Sequence, residues 1–588
     1  MKKILNQVKE IINKTWFKIA IINVGIFVIA NILYSLKYEQ IDDMIMYGLY
    51  SGLDGTYNIH GVYIHPAICF ILSILFRICP SINWHTIFLL SMQFICFTTI
   101  GTILVNKSEN NKLSYITYSV FASVCYLSLL LLIQYTSVAA LLMATAFFII
   151  FDITEKSQKN NKKLLFAITL FAIGIMTRMQ SILIIAPFFA IYFIYKLANF
   201  IKNKTSENKQ QLFSLLKKYI VIALITAIVY ISNILIYNSN EIYKNYIEYN
   251  NLRSELQDLS YTNYEENKEI FDEIGWSKND HYLFYTFNYG DENVYSKENL
   301  QKIVDYKKSK GEQYNLNTNI ENVWENLVEQ LRNSNKYISI MLFVACINVI
   351  NASNIARGSI VAIYTNDKYK IFSGIILITT IGINVLFIVL NRAMLRVVIP
   401  EYILGIALLL YYIKYNNNEK INKKIYMILA ISILIVTAYS GETYEFNYNL
   451  NSFNSYAKVI KYTNEHKENT YLYTAPALQF RYLAYSVYEM PPKGAFSNLR
   501  VLGGWDIFTQ NYYNFKEKNN LQGTFEDLLK DNVYLIDGDV SWSGVYYQNY
   551  KQHIIQFIKE HYGKNVKCEK IQTIDNVYIY KLTEDNEK

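Results

Sequence analysis

Cysteine is scarce and scattered, with 6 residues in 588. Cys69, Cys79, Cys96, Cys125, Cys346 and Cys568 fall mostly in apolar runs, and no spacing among them suits a metal site or a disulfide framework. Walker and dinucleotide glycine patterns are missing, so no nucleotide site is indicated. No Ala-x-Ala-type cleavage site follows the first apolar segment, which therefore reads as a retained helix and not a removed signal peptide. Charge of one sign is not in large excess: 56 Lys+Arg against 48 Asp+Glu leave +8, and the lysines sit in short loops, so no nucleic-acid partner is expected. Proline is rare (7) and tyrosine abundant (53), a bias typical of an AT-rich genome that leaves single tyrosines uninformative. There is no sequence repeat and no extended low-complexity linker.

What the chain does have is apolar length. It is 52% hydrophobic, with several runs long enough to span a bilayer, which predicts a polytopic α-helical membrane protein. Met1 to Lys18 carries five lysines and one acid and reads as an amphipathic cytoplasmic lead. The expected spans are Ile19–Leu36, Ile82–Val105, Leu113–Ile133, Ser137–Phe151, Leu164–Met176, Ser181–Tyr195, Tyr219–Tyr237, Tyr337–Ile350, Ile371–Leu390, Val397–Tyr412 and Ile425–Tyr439, about eleven in all. His65–Ile78 is apolar but too short to cross, and reads as a helix along the outer leaflet. With that parity the basic loops KSENNK, EKSQKNNKK, Lys196–Lys218, Asn351–Lys370 and KYNNNEKINKK all share the side of the N-terminus, which the positive-inside rule makes cytoplasmic.

The same parity places two large pieces outside the cell. Residues 1–440 form the membrane domain, including a polar outer loop at 238–336 with a helical patch at Asn319–Leu331. Residues 441–588 form a C-terminal extracytoplasmic mixed α/β domain. Its strands are expected at Thr470–Thr474, Asn532–Ile536 and Asn576–Lys581, and its helices at Phe453–His466, Thr524–Lys530 and Tyr550–His561. Gly503-Gly504-Trp505-Asp506 reads as a turn with an aromatic anchor able to touch a sugar.

Chemistry concentrates in Glu39–Pro66, directly after the first span. Asp42 and Asp43 are adjacent carboxylates at the membrane surface; on a helix they point about 100° apart, so one faces a cavity while the other caps or orients. Tyr47, Tyr50, Asp54, His60 and His65 follow. Loop histidines beside a proline are more often ordinary hydrogen-bonding residues than ligands, so no resident metal or cofactor is expected, although a divalent ion stays an open alternative. Arginine is otherwise nearly absent from the membrane half, yet Arg178, Arg392 and Arg396 stand at outer helix ends, with Glu401 one turn further on. A guanidinium holds phosphate bidentately and stays charged at any working pH.

IDDMIMYGLYSGLDG followed by HPAICFILSILFRICPSINWH resembles the first outer loop and juxtamembrane helix of GT-C glycosyltransferases from low-GC Gram-positive bacteria. LLFAITLFAIGIMTRMQSILIIAPFF is also similar to that family's pattern. The likeness covers mainly the membrane half. The WWD triplet of oligosaccharyltransferases is missing, so the nearer analogy is the protein O-mannosyltransferase and aminoarabinose-transferase branch. The resemblance implies a bacterial plasma-membrane enzyme that takes a sugar from a polyprenyl-phosphate carrier. It would pass that sugar, with inversion, to a cell-wall polymer, lipid glycan or exported protein. Asp42 or Asp43 would be the general base. Arg178, Arg392 and Arg396 would bind phosphate, and Tyr47, Asp54, His65 and Glu401 would contact substrate. The alternative is a non-catalytic lipid-linked-glycan binder or transporter, which would keep the arginines and tolerate loss of the acids.

Overall fold

A computed structural model describes residues 10–311 and 370–415 apart from a few positions. It also describes 450–477, 485–585 with short gaps, and isolated residues between 324 and 365. Asp54, the helical patch at 319–331 for the most part, and the expected spans at 337–350 and 425–439 lie outside the described residues or almost wholly so.

The membrane part is helical. In chain order it contains α1 (Thr15–Leu33), α2 (Asp42–Ser51), α3 (Pro66–Ile78), α4 (Trp84–Lys107), α5 (Lys112–Leu131), α6 (Tyr135–Glu155), α7 (Asn161–Thr177), α8 (Ile182–Lys202) and α9 (Ser206–Asn238). Among the described residues seven helices are long and apolar enough to cross a membrane: α1, α4, α5, α6, α8 with the short turn before it, α9, and a later helix at Ile371–Val389. Every expected span inside the described residues is helical, and the short apolar segment forms α3, 13 residues long. One boundary differs. The basic stretch 196–218, expected as a loop, is mostly helix. Thr205 caps α9 by accepting from the Asn208 amide at 3.2 Å, and the Lys/Gln/Leu-rich residues that follow are good helix formers, so α9 runs for 33 residues.

The organising element is α6. Nearly all of its side chains are buried, from Tyr135 to Thr154. Such an all-round apolar helix belongs at the centre of a bundle. Its polar ends are both tied. At the C-terminal end the buried Asp152 accepts from Tyr411 Oη at 3.0 Å and pairs with Lys156 Nζ at 2.8 Å. Glu155 meets Lys196 Nζ at 2.6 Å. At the other end Gln134 caps the helix, its Oε1 accepting from the Thr136 and Ser137 amides.

After α9 come α10 (Glu241–Ser254), α11 (Lys268–Glu273), α12 (Lys278–Tyr285) and α13 (Lys297–Ser309), then the apolar α14 (Lys370–Val389) and α15 (Leu395–Tyr411). The C-terminal part adds α16 (Leu450–Glu465), α17 (Gln510–Lys518) and α18 (Tyr550–Tyr562) around a five-stranded sheet. The strands are β1 (Thr470–Tyr473), β2 (Leu499–Val501), β3 (Val533–Gly538), β4 (Val566–Ile574) and β5 (Val577–Glu584), in spatial order β4–β5–β3–β1–β2. β1 is parallel to β2 and β3, and β5 is antiparallel to β3 and β4. All three expected strands are present. The short β2 and the largely exposed β4 lack the clean apolar alternation by which strands are recognised.

The segment 241–309 does not stand apart from this sheet. Leu252, Trp276, Phe284, Tyr295 and Val304 share one hydrophobic core with Leu472, Phe525, Leu535, Phe557 and Leu582. His561 Nε2 donates to Asp280 Oδ2 at 2.9 Å and Asn279 Nδ2 to the His553 carbonyl at 2.9 Å, fastening α12 to α18. Backbone also meets backbone: a Cβ added at Gly503 would lie 2.2 Å from the Phe287 carbonyl oxygen, and one at Gly290 would lie 2.3 Å from that of Leu502. Only glycine permits that approach. The resulting unit docks on the bundle at the start of α4, where Thr86 Oγ1 donates to the Val487 carbonyl at 2.6 Å and the Asn83 amide to that of Tyr488 at 3.0 Å.

Gly503→Val should therefore destabilise the protein by about 1–3 kcal/mol, because rigid backbone must move to admit the side chain. Gly25→Ala, a helical site with nothing within 4 Å of an added Cβ, should leave the unfolding midpoint in detergent unchanged or slightly raised. Thermal unfolding of the two variants beside wild type checks both expectations.

Candidate active site

Asp42 and Asp43 occupy the first turn of α2, where acidic side chains complement the helix dipole. Gly52, at φ 80°, ends the helix in the left-handed conformation. Successive residues on a helix point in different directions, and the two carboxylates enter different surroundings. Asp43 is fully buried. Its Oδ1 accepts from His85 Nε2 at 2.9 Å and from the Tyr135 amide at 3.1 Å, one of the unpaired donors at the start of α6. The far side of the His85 ring is engaged too, with Nδ1 2.6 Å from Tyr50 Oη. Burial pushes the Asp43 carboxyl above its ordinary range, against the pull of the His85 hydrogen bond. Asp42 is only half-buried, and its Oδ1 accepts from the indole Nε1 of Trp505 at 3.1 Å.

Two of the three expected arginines gather at the same end of α6. Arg178, in the turn after α7, donates from Nη1 to Tyr135 Oη at 2.8 Å, and its guanidinium lies over the Tyr63 ring, 4.5 Å from the centroid. Arg396 is attached through its backbone, its carbonyl accepting from Ser137 Oγ at 2.9 Å. Its Nη1 stands 3.7 Å from Glu39 Oε1, an ion pair longer than a hydrogen bond, with both side chains largely buried. Burial drives the Glu39 carboxyl up to about 7; Arg396 opposes that shift, while Asp43 and Asp42 add to it. Arg392 is half-buried at the approach to α15, its amide donating to the Phe387 carbonyl at 2.7 Å.

Other expected residues go elsewhere. Tyr47, expected to contact substrate, is buried, as is Tyr50. The Tyr47 ring lies 6.0 Å from that of His85. His65 is the N-cap of α3: Nδ1 accepts from the Ala67 amide at 3.2 Å and Nε2 lies 3.1 Å from Ser232 Oγ, so both nitrogens are spent on structure. His60 stacks on Tyr243 at 3.8 Å, and burial holds its imidazole down to about 4. Glu401 is buried in α15 and accepts from Asn384 Nδ2 at 3.0 Å, a contact with α14 and not with the acid pair.

Glu39, His85, Tyr135 and Tyr63 are parts of the site that reasoning from sequence did not select, and Trp505, expected as an aromatic anchor able to touch a sugar, lies instead on Asp42. His85 and Tyr135 open apolar helices, where polar and aromatic residues ordinarily mark the membrane interface. Trp505 lies 463 positions from its partner. The arrangement presents a half-exposed carboxylate beside a buried and oriented one, with guanidinium groups on the same helix terminus. It has the parts for proton abstraction next to an anionic leaving group.

Fold and site together define a multi-pass helical membrane protein with a C-terminal sheet unit that reaches into an acid–arginine site. No family model and no curated protein sequence matches the chain. Among solved structures it is similar to ArnT from Cupriavidus metallidurans in the apo state. That likeness has a TM-score of 0.38 and 9% identity, over 92% of this chain and 92% of that one. It is also similar to ArnT from the same organism bound to undecaprenyl phosphate, with a TM-score of 0.36 and 9% identity, over 95% and 97%.

Glu39 yields a pH prediction. The folded chain keeps its proton up to about 7, whereas the ordinary value is 4.5. Between those values the unfolded chain has already released a proton that the folded chain retains. Raising the pH through the window therefore costs stability, on the order of 3 kcal/mol. Glu39→Gln should flatten that dependence, as read from denaturant unfolding at pH 4.5 and 7.5 in both proteins.

Proposed function

We propose that the chain is an inverting glycosyltransferase of the bacterial plasma membrane. It transfers a sugar from a polyprenyl-phosphate donor to an extracytoplasmic cell-wall polymer, lipid glycan or exported protein. The observation that carries this reading is the division of labour in the acid pair: Asp43 is sealed against His85 and the start of α6, while Asp42 stays partly open with one oxygen on the Trp505 indole, and Arg178 is held on Tyr135 at that same helix start. Asp42 is then the general base and Asp43 its support. Arg178 and Arg396, with Arg392 nearby in the chain, neutralise the departing phosphate, which a lipid carrier holds at the depth of helix ends. The orientation that puts this face outside, with the N-terminus in the cytoplasm, rests on the basic loops at the opposite helix ends. On this reading residues 1–440 are the membrane domain and 441–588 the extracytoplasmic one.

The reaction uses few groups. The acceptor hydroxyl gives its proton to Asp42 as its oxygen attacks the anomeric carbon. The bond from that carbon to the phosphate oxygen breaks, and the lipid phosphate leaves with the electron pair. Removing a general base typically costs 10²–10⁴-fold. Asp42→Asn should lose transfer by about that factor with donor binding intact. Asp43→Asn should lose less activity and some thermal stability. Arg178→Gln should raise the donor KM by roughly tenfold or more. The assay is transfer of radiolabelled sugar in membranes, across a panel of polyprenyl-phosphate sugars and envelope acceptors. Binding of donors without transfer by wild type would favour the lipid-glycan binder or transporter instead.

A further inference from the structure

We propose that Trp505 is a positioning residue for the transfer, holding one oxygen of Asp42 so that the other is aimed at the acceptor hydroxyl. The α/β unit would thereby complete a catalytic site whose remaining groups belong to the membrane half. This inference rests on the glycosyl-transfer reading with Asp42 as base.

The indole is placed with more care than an incidental contact requires. Trp505 is 8% exposed, and its carbonyl accepts from Tyr246 Oη at 2.9 Å. Its ring lies 5.1 Å from that of Tyr63, the same ring that carries the Arg178 guanidinium. The turn leading to it is locked on both sides. Gly503 sits against the backbone of Phe287 and Tyr289, and Asp506 pairs with Arg500 Nη2 at 2.9 Å while its carbonyl accepts from Thr509 Oγ1 at 2.7 Å. Close by, Asn511 Nδ2 reaches the Leu49 carbonyl at 3.4 Å and its Oδ1 accepts from Asn58 at 3.0 Å, so this face of the unit grips α2 and the loop after it.

Backbone strain marks the same place. Val62, next to Tyr63, has φ 63°, and Phe508, three residues past Trp505, has φ 63°. Both pack on the buried Tyr237, Tyr243 and Tyr246 cluster. Non-glycine residues in that region cost free energy and persist where the surroundings over-determine them, which is common at working sites.

The chemistry of the partner matters. An indole N–H donates only and has no lone pair to offer. It can hold Asp42 Oδ1 without competing for the acceptor's proton, which goes to Oδ2. A tyrosine or histidine at this position could exchange protons with the base; tryptophan cannot. The bond-making step is unchanged, and Trp505 neither gains nor loses a proton.

Trp505→Phe keeps the ring and removes the donor. In the full-length protein it should lower kcat about tenfold, with donor and acceptor KM within twofold of wild type and the melting temperature unchanged. A second measurement does not need turnover. In protein labelled with 5-fluorotryptophan, the Trp505 resonance, assigned by its loss in Trp505→Phe, should shift in Asp42→Asn. An unshifted resonance overturns the contact. Wild-type kcat in Trp505→Phe overturns the positioning role alone, as does a fall in melting temperature with both KM values raised, since that describes a docking residue. Absence of transfer by wild type from every donor overturns the glycosyl-transfer reading itself, and this role with it.

Discussion

Everything near the site depends on one buried carboxylate meeting the start of one buried helix. Asp43 has no solvent, so its charge must be answered by protein. The answer comes from the first amide of α6, from the positive end of that helix, and from a histidine in the first turn of α4. Three helices are brought into register by a single side chain, and α2 inherits its position from them. Asp42 faces its own surroundings because its neighbour is fixed. Breaking such a buried pair from one side is far more damaging than removing an exposed one. The same logic repeats at the far end of α6, where Asp152 and Glu155 are paired with lysines.

Arginine placement follows from the same terminus. Arg178 arrives through a tyrosine hydroxyl and Arg396 through its backbone carbonyl, both on the first turn of α6. Neither is anchored by an Asp42 or Asp43 carboxylate. Arg396 is instead opposed by Glu39 at a distance too long for a hydrogen bond. A guanidinium held by neutral groups or by a loose ion pair retains donors for another anion, whereas one locked bidentately does not.

Much of this was legible in the sequence. Apolar length located the long helices, and the short apolar segment is a helix of 13 residues. The acid pair and Arg178 were singled out because charge at a membrane border is costly and therefore informative. The strands at 470, 533 and 577 were readable because their inward residues are apolar. What sequence could not show is pairing over distance. His85 reads as an interface residue until Asp43 is beneath it, and Trp505 reads as a turn anchor until the turn is laid on α2. His65, which the resemblance put among the substrate contacts, caps α3, as the residue before a proline at a helix start can. The split of the outer pieces into a loop and a tail also hid their common core, since each fragment alone shows only scattered aromatics.

That common core orders events in time. Helices α10 to α13 are synthesised well before the strands whose apolar face they cover. Until β5 is made, Trp276, Phe284 and Tyr295 lack part of the layer they pack against, and the nascent chain exposes an aromatic surface. Completion of this core is thus paced by β5. During that interval a chaperone or protease meets an incomplete body, and loss of β5 would be felt in a segment made about three hundred residues earlier.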